Sequence, residues 1–395
     1  MVRGRLRGRP GRDDRVLHPI GRRGFLRRAD HVRVTRDVLD EPPAHGQSRA
    51  GGHRALAACR GDRQRAARRP ELGAREVPPQ ALSAEKPPAR EHRPGPLELC
   101  LAVDVGGSKL AAGLVDGEGT VLVHRRTPTP AGADAETLFG ALSGLADEVR
   151  SLPDAGGSAV VCGVGCGGPM SPGGELVSPL NIPGWRDFPL RARLAAYSGL
   201  PTAVDNDAKA LALGERWRGA ARGASDFLAM VVSTGVGGGI VLDGRLLEGA
   251  AGNAGHIGHV VVEPDGRRCP CGGRGCLEAE ASGSAIAAIT GRPPEEAPPE
   301  VVVRSGRLVG RAVASVANLL DLPLAVVAGS VALGFGPPFF AAAAQELAER
   351  ARLSFSANTR IVPAGLGAGA PLVGAALVGW RAAGFDVDGD SRAAP

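Results

Sequence analysis

A unit made of a strand, a glycine turn and a second strand occurs twice in this chain, as ELCLAVDVGGSKLAAGLVDG and as SDFLAMVVSTGVGGGIVLDG. The two turns lie about 130 residues apart, and Asp104 in the first corresponds to Thr234 in the second. A chain that repeats one supersecondary unit in this way is expected to fold into related structural units that pack together. The duplication therefore predicts two related lobes that face each other, with a nucleotide between them.

The segments between and after the two units alternate between strand and helix patterns. AETLFGALSGLADEVRSL has the apolar spacing of an amphipathic helix, SAVVCGVG is typical of a strand, FPLRARLAAYSG indicates a helix, and PTAVDND leads from a strand into the helix AKALALGERWRG. Beyond the second unit, the strands LAVVAGS and TRIVPAG are each followed by a helix, FFAAAAQELAERARL and PLVGAALVGWRAAG. Strands that alternate with helices place the fold in the α/β class.

The formal net charge of +6 is concentrated in the first ninety or so residues. That segment is rich in Arg, Pro and Gly and has few periodic apolar positions, so it cannot bury enough surface to offset the entropy of ordering. We expect it to be mostly disordered, or to be a mis-assigned start of translation. A basic arm that binds nucleic acid through phosphates is the alternative, but the segment shows no helix-turn-helix pattern. Nucleic acid is therefore not an expected partner, and the folded protein is expected to begin at Leu97.

Nothing in the sequence predicts export or a membrane span. The uncharged stretch from Leu322 to Ala344 is interrupted by glycines and prolines, which predicts a buried strand followed by a loop and the start of a helix. The first residues lack the apolar stretch of a signal peptide. A reducing cytoplasm is the expected location, since four cysteines show no paired pattern: Cys59, Cys100, Cys162 and Cys166.

The first glycine turn, DVGGSK, has the chemistry of a phosphate-binding loop. Gly106 and Gly107 let the backbone approach an anion closely and turn its N–H groups toward phosphate oxygens. Ser108 adds a hydroxyl donor and Lys109 adds a positive charge. Asp104, at the end of the strand, is suited to holding Mg²⁺ through its water shell.

The second turn, from Thr234 through Gly235 to Gly239, repeats this pattern. A single glycine turn is equally well explained as ordinary hairpin chemistry, whereas a second anion cradle is harder to explain in that way. Neither turn has the spacing of a P-loop, and neither opens a long helix as a dinucleotide fingerprint does.

The segment VDNDA, between the two turns, is predicted to lie at a strand-to-helix junction. Asp207 would occupy the first helical turn, where the helix dipole favours the ionised carboxylate, and Asn206 would orient a hydroxyl group. A carboxylate of low pKa is a sufficient base for phosphoryl transfer, because the proton of the attacking hydroxyl leaves late. Helix capping by Asn206 and Asp207 is the structural alternative.

The stretch HVVVEPDGRRCPCGGRGCLE brings together one imidazole and three thiols, His259, Cys269, Cys271 and Cys276. A Cys₃His set satisfies tetrahedral Zn²⁺ with no open position for water, so the predicted metal is structural and clamps a loop. Disulfide bonding is the alternative, but no export signal accompanies these cysteines. The clamp would also hold His256 and Glu278 near one place, and a carboxylate with imidazoles is suited to hydrogen bonding a polyhydroxyl ligand. His259 would bind zinc through one ring nitrogen and offer the other to that ligand.

Six motifs, in this order, resemble those of the ROK family (repressors, open reading frames and kinases): DVGGSK, LNIPGW, VDNDAKALALGE, STGVGGGI, AGHIGH and CPCGGRGCLEAEASG. The resemblance runs from about Leu97 to Gly384. It implies the two-lobed actin/hexokinase-like (ribonuclease H-like) fold of an ATP-dependent sugar kinase, which phosphorylates the 6-hydroxyl group of a hexose or N-acetylhexosamine. The expected division is a leader over 1–96, a small lobe over 97–204 and a large lobe over 205–369, with the last helix, 370–384, packing back on the small lobe.

The family's functional positions fall on particular residues of this chain. The resemblance implies that Asp207 is the catalytic base and that Asn206 is a sugar ligand. Further sugar contacts are implied for His256, His259 and Glu278, and zinc ligation for His259, Cys269, Cys271 and Cys276. The ATP and Mg²⁺ site would comprise Asp104, Gly106, Gly107, Ser108, Lys109, Thr234, Gly235 and Gly329. At Gly329 this chain has Ala-Gly-Ser where the family has a run of glycines.

His256 departs from the family's glucokinases, which usually have Glu at this position. A neutral His accepts one hydrogen bond and is bulkier, whereas a Glu carboxylate is a charged, stronger acceptor. Bacterial N-acetylmannosamine kinases look similar to this chain here, so the expected substrate shifts toward N-acetylmannosamine. Glucose, and hence a glucokinase, remains the alternative.

Two functions of another class also remain open. Repressors of this family carry a winged helix-turn-helix ahead of the sugar domain, and the length of the leader fits such a domain although its content does not. A non-catalytic sugar-binding regulator is the other alternative function. The family often forms dimers, so a homodimer is the expected assembly.

Overall fold

The computed structural model describes residues 93–152 and 156–387. The predictions for the Arg-rich leader, apart from residues 93–96, therefore lie outside the described residues. The described part of the chain contains two five-stranded sheets.

The first sheet holds the first glycine turn. Its strands are β1 (Glu98–Val105), β2 (Lys109–Val115), β3 (Val121–Pro128), β4 (Ser158–Cys166) and β5 (Thr202–Asn206). They lie in the order β3-β2-β1-β4-β5, with β1, β2 and β3 antiparallel and with β4 and β5 running parallel to β1. Helices α1 (Ala135–Arg150) and α2 (Leu190–Ser198) make the connections to the parallel strands. The apolar stripe that predicted α1 is buried in the core beside this sheet.

The second sheet repeats the first strand for strand. Its strands are β6 (Phe227–Val232), β7 (Val236–Leu242), β8 (Arg245–Leu246), β9 (Leu324–Ala328) and β10 (Arg360–Pro363). The order β10-β9-β6-β7-β8 again combines an antiparallel meander with two parallel strands. The predicted duplication is therefore confirmed at the level of sheet topology.

The remaining helices are α3 (Asp207–Arg218), α4 (Leu277–Ala281), α5 (Gly283–Thr290), α6 (Pro299–Leu320), α7 (Ser330–Phe335), α8 (Pro337–Arg350) and α9 (Ala370–Ala382). Helix α7 differs from the prediction, which placed a loop after the strand that is now β9. Gly329 has a φ of 101°, so the chain turns directly from β9 into α7. The proline pair then opens α8, where the missing N–H group costs no hydrogen bond.

Helices α3 and α9 cross between the two sheets. Helix α9 packs on β1 and β4 of the first sheet, and α3 packs on β6 and β7 of the second. Glycines make the crossing possible, because a Cβ at Gly374 would lie 2.2 Å from the carbonyl oxygen of Ala210. A Cβ at Gly163, in β4, would lie 2.0 Å from the carbonyl oxygen of Ala375. The two sheets are thus joined by one buried helix pair, which places the strand ends of both around a common cleft.

Candidate active site

Both glycine turns line a single cleft of about 630 Å³. Within the described residues, none of the helices is long and apolar enough to span a bilayer. Twelve of the sequence-predicted site residues lie in the walls of the cleft: Asp104, Gly106, Ser108, Lys109, Asn206, Asp207, Thr234, Gly235, His256, His259, Glu278 and Gly329. The structure therefore brings the predicted phosphate-binding and sugar-binding groups together.

The first turn is a tight hairpin between β1 and β2. Gly106 N–H donates to the carbonyl oxygen of Lys109 at 3.0 Å, and the Thr129 hydroxyl donates to the carbonyl oxygen of Gly106 at 2.7 Å. Gly107 and Ser108 are exposed at the tip, as is Lys109. These contacts fix the backbone of the turn and leave its tip accessible to a ligand.

The second turn is shorter than predicted. Ser233 N–H donates to the carbonyl oxygen of Gly235 at 2.9 Å, and β7 begins at Val236, so Gly237 to Gly239 are part of a strand and not of the turn. A Cβ at Gly238 would lie 2.9 Å from the carbonyl oxygen of Gly255, and one at Gly239 would lie 2.8 Å from that of Ala208. These strand glycines therefore serve the close packing of neighbouring backbone.

Asp207 is the first residue of α3 and is half-buried in the cleft wall. The Asn206 side-chain oxygen accepts hydrogen bonds from the N–H groups of Ala208 (3.0 Å) and Lys209 (3.3 Å), so Asn206 caps the helix. Its amide NH₂ group is not used by the cap. Capping and ligand binding are therefore compatible in this residue.

The expected low pKa of Asp207 is wrong. Burial raises the pKa of this carboxyl group, even though the N–H group of Ala208, 2.8 Å from Oδ1, acts to lower it. Desolvation of the charged form outweighs the favourable end of the helix. Asp207 is accordingly a stronger base than a carboxylate at an exposed helix terminus.

Asp104 is buried at the end of β1, with 6% of its surface exposed. Burial and the charge of Asp207 raise the pKa of Asp104 from 3.8 to about 7, while Lys109 acts to lower it. A buried carboxyl group that lines the same cleft as a second, half-buried carboxyl group forms part of a donor set that suits a divalent cation.

Glu278 and the two histidines form a further part of the cleft wall. Glu278, in the first turn of α4, accepts a hydrogen bond from Val236 N–H at 3.0 Å, which ties it to the second glycine turn. The rings of His256 and His259 are nearly parallel, with centroids 6.0 Å apart. This wall therefore presents a carboxylate and two imidazoles to the cleft.

The four predicted metal ligands form one cluster: His259, Cys269, Cys271 and Cys276. Their ligand atoms all lie within 4.8 Å of one another; His259 Nδ1 is 3.7 Å from the Cys269 sulfur, and the Cys271 and Cys276 sulfurs are 3.8 Å apart. Bonds of about 2.3 Å to a tetrahedral Zn²⁺ require sulfur separations of roughly 3.8 Å. The cluster therefore fits zinc, and the use of Nδ1 leaves His259 Nε2 for a ligand.

Sequence reasoning missed Asn181, which lies between the two turns. Its Cβ is 2.6 Å from the position of an ideal Cβ on Gly107, and its Nδ2 is 3.3 Å from that on Gly235. Gly168, also missed, is close to both Asn206 and His256, since its ideal Cβ lies 3.3 Å from Nδ2 of the first and from Nε2 of the second. The motif LNIPGW, which contains Asn181, was the available signal.

Comparison with known proteins places these features in a family. The ROK family model matches residues 100–381. The N-acetylmannosamine kinase of Escherichia fergusonii is 37% identical over 253 residues, which cover 60% of this chain and 84% of that protein. A ROK family glucokinase from Streptomyces griseus, solved with glucose and AMPPNP, aligns with a TM-score of 0.64 and 30% identity over 72% of this chain and 99% of that one. A ROK family transcriptional regulator, a homologue of E. coli MLC, aligns with a TM-score of 0.62 and 26% identity over 71% of this chain and 78% of that one.

Proposed function

Because the chain belongs to the ROK family, with the two-lobed actin/hexokinase-like fold, we propose that it is an ATP-dependent sugar kinase that phosphorylates the 6-hydroxyl group of a hexose or N-acetylhexosamine. One observation carries this proposal: Asp207, a half-buried carboxylate whose pKa is raised by desolvation, shares a single cleft with both glycine turns and with His256 and Glu278. The volume of the cleft, about 630 Å³, is large enough for a sugar and the end of a triphosphate.

Asp207 is the proposed catalytic base. Its carboxylate accepts the proton of the 6-hydroxyl group while that oxygen forms a bond to the γ-phosphorus, and the bond from the γ-phosphorus to the bridging oxygen of ADP breaks. Asn206, with its amide NH₂ group free of the helix cap, holds the sugar beside the base. A positioned hydroxyl supplies much of the rate, because the reaction becomes effectively intramolecular.

The glycine turns are proposed to bind the phosphates of ATP. The N–H groups of Gly107 and Gly235 and the charge of Lys109 stabilise the negative oxygens during transfer. Gly106 contributes close approach of the backbone, because its own N–H group is bonded to the carbonyl oxygen of Lys109 within the turn. Asp104 is placed to hold Mg²⁺, which when bound neutralises charge on the phosphate oxygens. Gly329, at the junction of β9 and α7, is proposed to face the adenosine.

Zinc is proposed to have a structural role only. Its four ligands leave no open position, so the metal orders the loop that carries His259 and leads into Glu278. His259 would then be aimed at the sugar through Nε2, because Nδ1 faces the cluster.

N-acetylmannosamine is the proposed substrate. The curated relative in E. fergusonii is an N-acetylmannosamine kinase, and His256 replaces the Glu of the family's glucokinases. The His256 imidazole lies beside Asn206 and Gly168. A neutral imidazole accepts one hydrogen bond, so it selects less strongly than a carboxylate for a ligand with a pair of hydroxyl donors. We also propose that the protein is a homodimer and that it acts in the cytoplasm, where ATP is available.

The test is a coupled assay of ADP release with purified protein and five sugars: N-acetylmannosamine, N-acetylglucosamine, glucose, mannose and fructose. We expect the highest kcat/KM for N-acetylmannosamine. A preference for glucose would contradict the proposed substrate and retain the kinase. Sugar-independent ATP hydrolysis, or no turnover with any sugar, would contradict the kinase itself and favour a regulator.

A further inference from the structure

Lys209 is a buried charge that the proposed chemistry does not use. It lies two residues after Asp207 in α3, with 1% of its surface exposed. Its Nζ atom is 3.0 Å from Asp205 Oδ1, forms an ion pair with Glu248 and donates to the carbonyl oxygen of Gly252 at 3.3 Å. Burial acts to lower the pKa of Lys209, but the two carboxylates outweigh it and raise the pKa, so the ammonium group stays charged.

Two of these partners belong to one glycine-rich segment, residues 247–255, which we call the strap. The strap leads from β8 to His256. Gly249, Gly252 and Gly255 have φ values of 75°, 76° and 98°, and Ala254 N–H donates to the carbonyl oxygen of Glu248 at 3.0 Å. The strap has few side chains that could pack against the core, so its position depends on a small number of polar contacts.

The second fixed point of the strap is Asn253. Its side-chain oxygen accepts from Met170 N–H at 3.2 Å, and its NH₂ group donates to the carbonyl oxygen of Met170 at 3.0 Å. Met170 follows β4 of the first sheet, two residues after Gly168, which lies against His256 and Asn206. The strap is therefore held by Lys209 of α3 and by Met170 of the segment that follows β4, and His256 comes directly after it.

We propose that Lys209 is a positioning residue for the sugar. Through Glu248 and Gly252 it holds the strap so that His256 stays beside Gly168 and near Asn206. This inference rests on the proposed sugar kinase function. Lys209 does not line the cleft, so it acts through the strap and sets the affinity for the sugar and the choice among sugars, while ATP binding is independent of it.

Glu248→Gln is the sharpest test, because the Glu248 side chain is 60% exposed and its neutralisation leaves no buried carboxylate unpaired. We expect KM for the sugar to rise by about 3- to 10-fold, KM for ATP to stay within about 2-fold, and the melting temperature to be unchanged. Glu118→Gln is the matched control, since Glu118 is 64% exposed and pairs with Arg218 at the other end of α3. It should change neither KM.

Hydrogen–deuterium exchange separates this inference from the kinase proposal, because it requires no turnover. In Glu248→Gln and in Lys209→Met, the amides of the strap should exchange faster than in the wild type, with exchange in the first glycine turn unchanged. If the wild type phosphorylates no sugar but the strap amides respond, the kinase proposal fails and the role of Lys209 in holding the strap stands. Unchanged exchange of the strap, or equal changes in KM for sugar and ATP, would overturn the inference.

Discussion

Asp207 and Asn206 show how two adjacent residues serve folding and chemistry together. The Asn206 oxygen is occupied by the N–H groups at the start of α3, while Asp207 contributes a carboxylate whose pKa is raised by burial. Helix capping accounts for the local sequence, and the cleft accounts for the raised pKa. Neither explanation excludes the other, since they concern different atoms.

Replacing Asp207 with Asn should lower kcat by about 10²- to 10⁴-fold and leave the dissociation constant of the sugar nearly unchanged. The amide keeps the shape of the carboxylate and cannot accept the proton. Steady-state kinetics and isothermal titration calorimetry measure the two quantities. Asp243→Asn is the control, because Asp243 is exposed in a turn at φ 48°, a conformation that Asn tolerates. An Asp207→Asn variant with unchanged kcat would exclude Asp207 as the base.

Asp104 carries a prediction on pH and Mg²⁺. Its folded-state pKa of about 7 lies above the ordinary 3.8, so between these values the folded protein binds more protons than the unfolded chain. The contribution of Asp104 to the free energy of unfolding therefore falls as pH rises from about 4 to 7. Without Mg²⁺ at pH 8, Asp104→Asn should be more stable than the wild type by roughly 1–4 kcal/mol in urea unfolding, while losing Mg²⁺-dependent activity.

Two comparisons test whether Asp104 is a buried carboxyl group that binds Mg²⁺. The stability difference between wild type and Asp104→Asn should shrink at pH 5, where the wild-type carboxyl group is largely protonated. It should also shrink when Mg²⁺ is added at pH 8, because a bound cation compensates the buried charge. If the stability difference between the two proteins changes with neither pH nor Mg²⁺, Asp104 is not a buried carboxyl group with a raised pKa.

At the scale of elements, the cluster of His259, Cys269, Cys271 and Cys276 links the loop after β8 to the start of α4. Cys276 is the residue before α4, and Glu278 is in its first turn, so the cluster and the cleft wall meet at one short helix. The close approach of Gly275 to the backbone of Glu263 further compacts this loop. The position of Glu278 relative to the second glycine turn therefore depends on the cluster.

Cys276→Ser should reduce bound zinc from about one ion per chain to a small fraction and raise KM for the sugar by about 10- to 100-fold. KM for ATP should change less, because the first glycine turn is built from β1 and β2 alone. Elemental analysis and kinetics measure these effects. Cys162→Ala is the matched control, since Cys162 is buried in β4 away from the cluster and should retain zinc. Full zinc content in Cys276→Ser would contradict the ligand assignment.

At the scale of the whole molecule, the crossing of α3 and α9 decides how the cleft is formed. Glu215, fully buried near the end of α3, accepts hydrogen bonds from Ala220 N–H (2.7 Å), Gly365 N–H (3.0 Å) and Leu366 N–H (3.1 Å). The segment that it anchors continues to Gly367 and Ala368 in the wall of the cleft. One helix thus carries the proposed base at its start and orders another part of the cleft wall from its end.

Gly374→Ala should destabilise the protein by about 1–3 kcal/mol, because the new methyl group would meet the backbone of Ala210 at the crossing. Urea unfolding measures the change. Gly334→Ala, at an exposed helical glycine with open space around it, should be neutral or stabilising by up to about 1 kcal/mol. If both variants unfold at the same urea concentration, the helices do not cross as closely as described.

Most of the order of strands and helices, the duplicated unit and the cysteine cluster were predictable from the sequence, because strand alternation, glycine turns and ligand spacing are local patterns. Helix α7, where a loop was predicted, is the exception. Asp207, Asn206 and the first glycine turn were found in the same way. The assignment of residues 97–204 and 205–369 to two lobes stays a prediction. So do the roles of the individual site residues, which the substitutions above address.

Tertiary structure alone decided the rest. The pKa of Asp207 depends on burial by groups distant in sequence, so its local position at a helix terminus predicted the wrong direction. Gly237 to Gly239 have the composition of a phosphate loop, yet they lie in β7 because α3 and the strap pack against them. Lys209 carries no sequence signal of its own; its role exists only because folding brings Glu248 and Gly252 to its ammonium group.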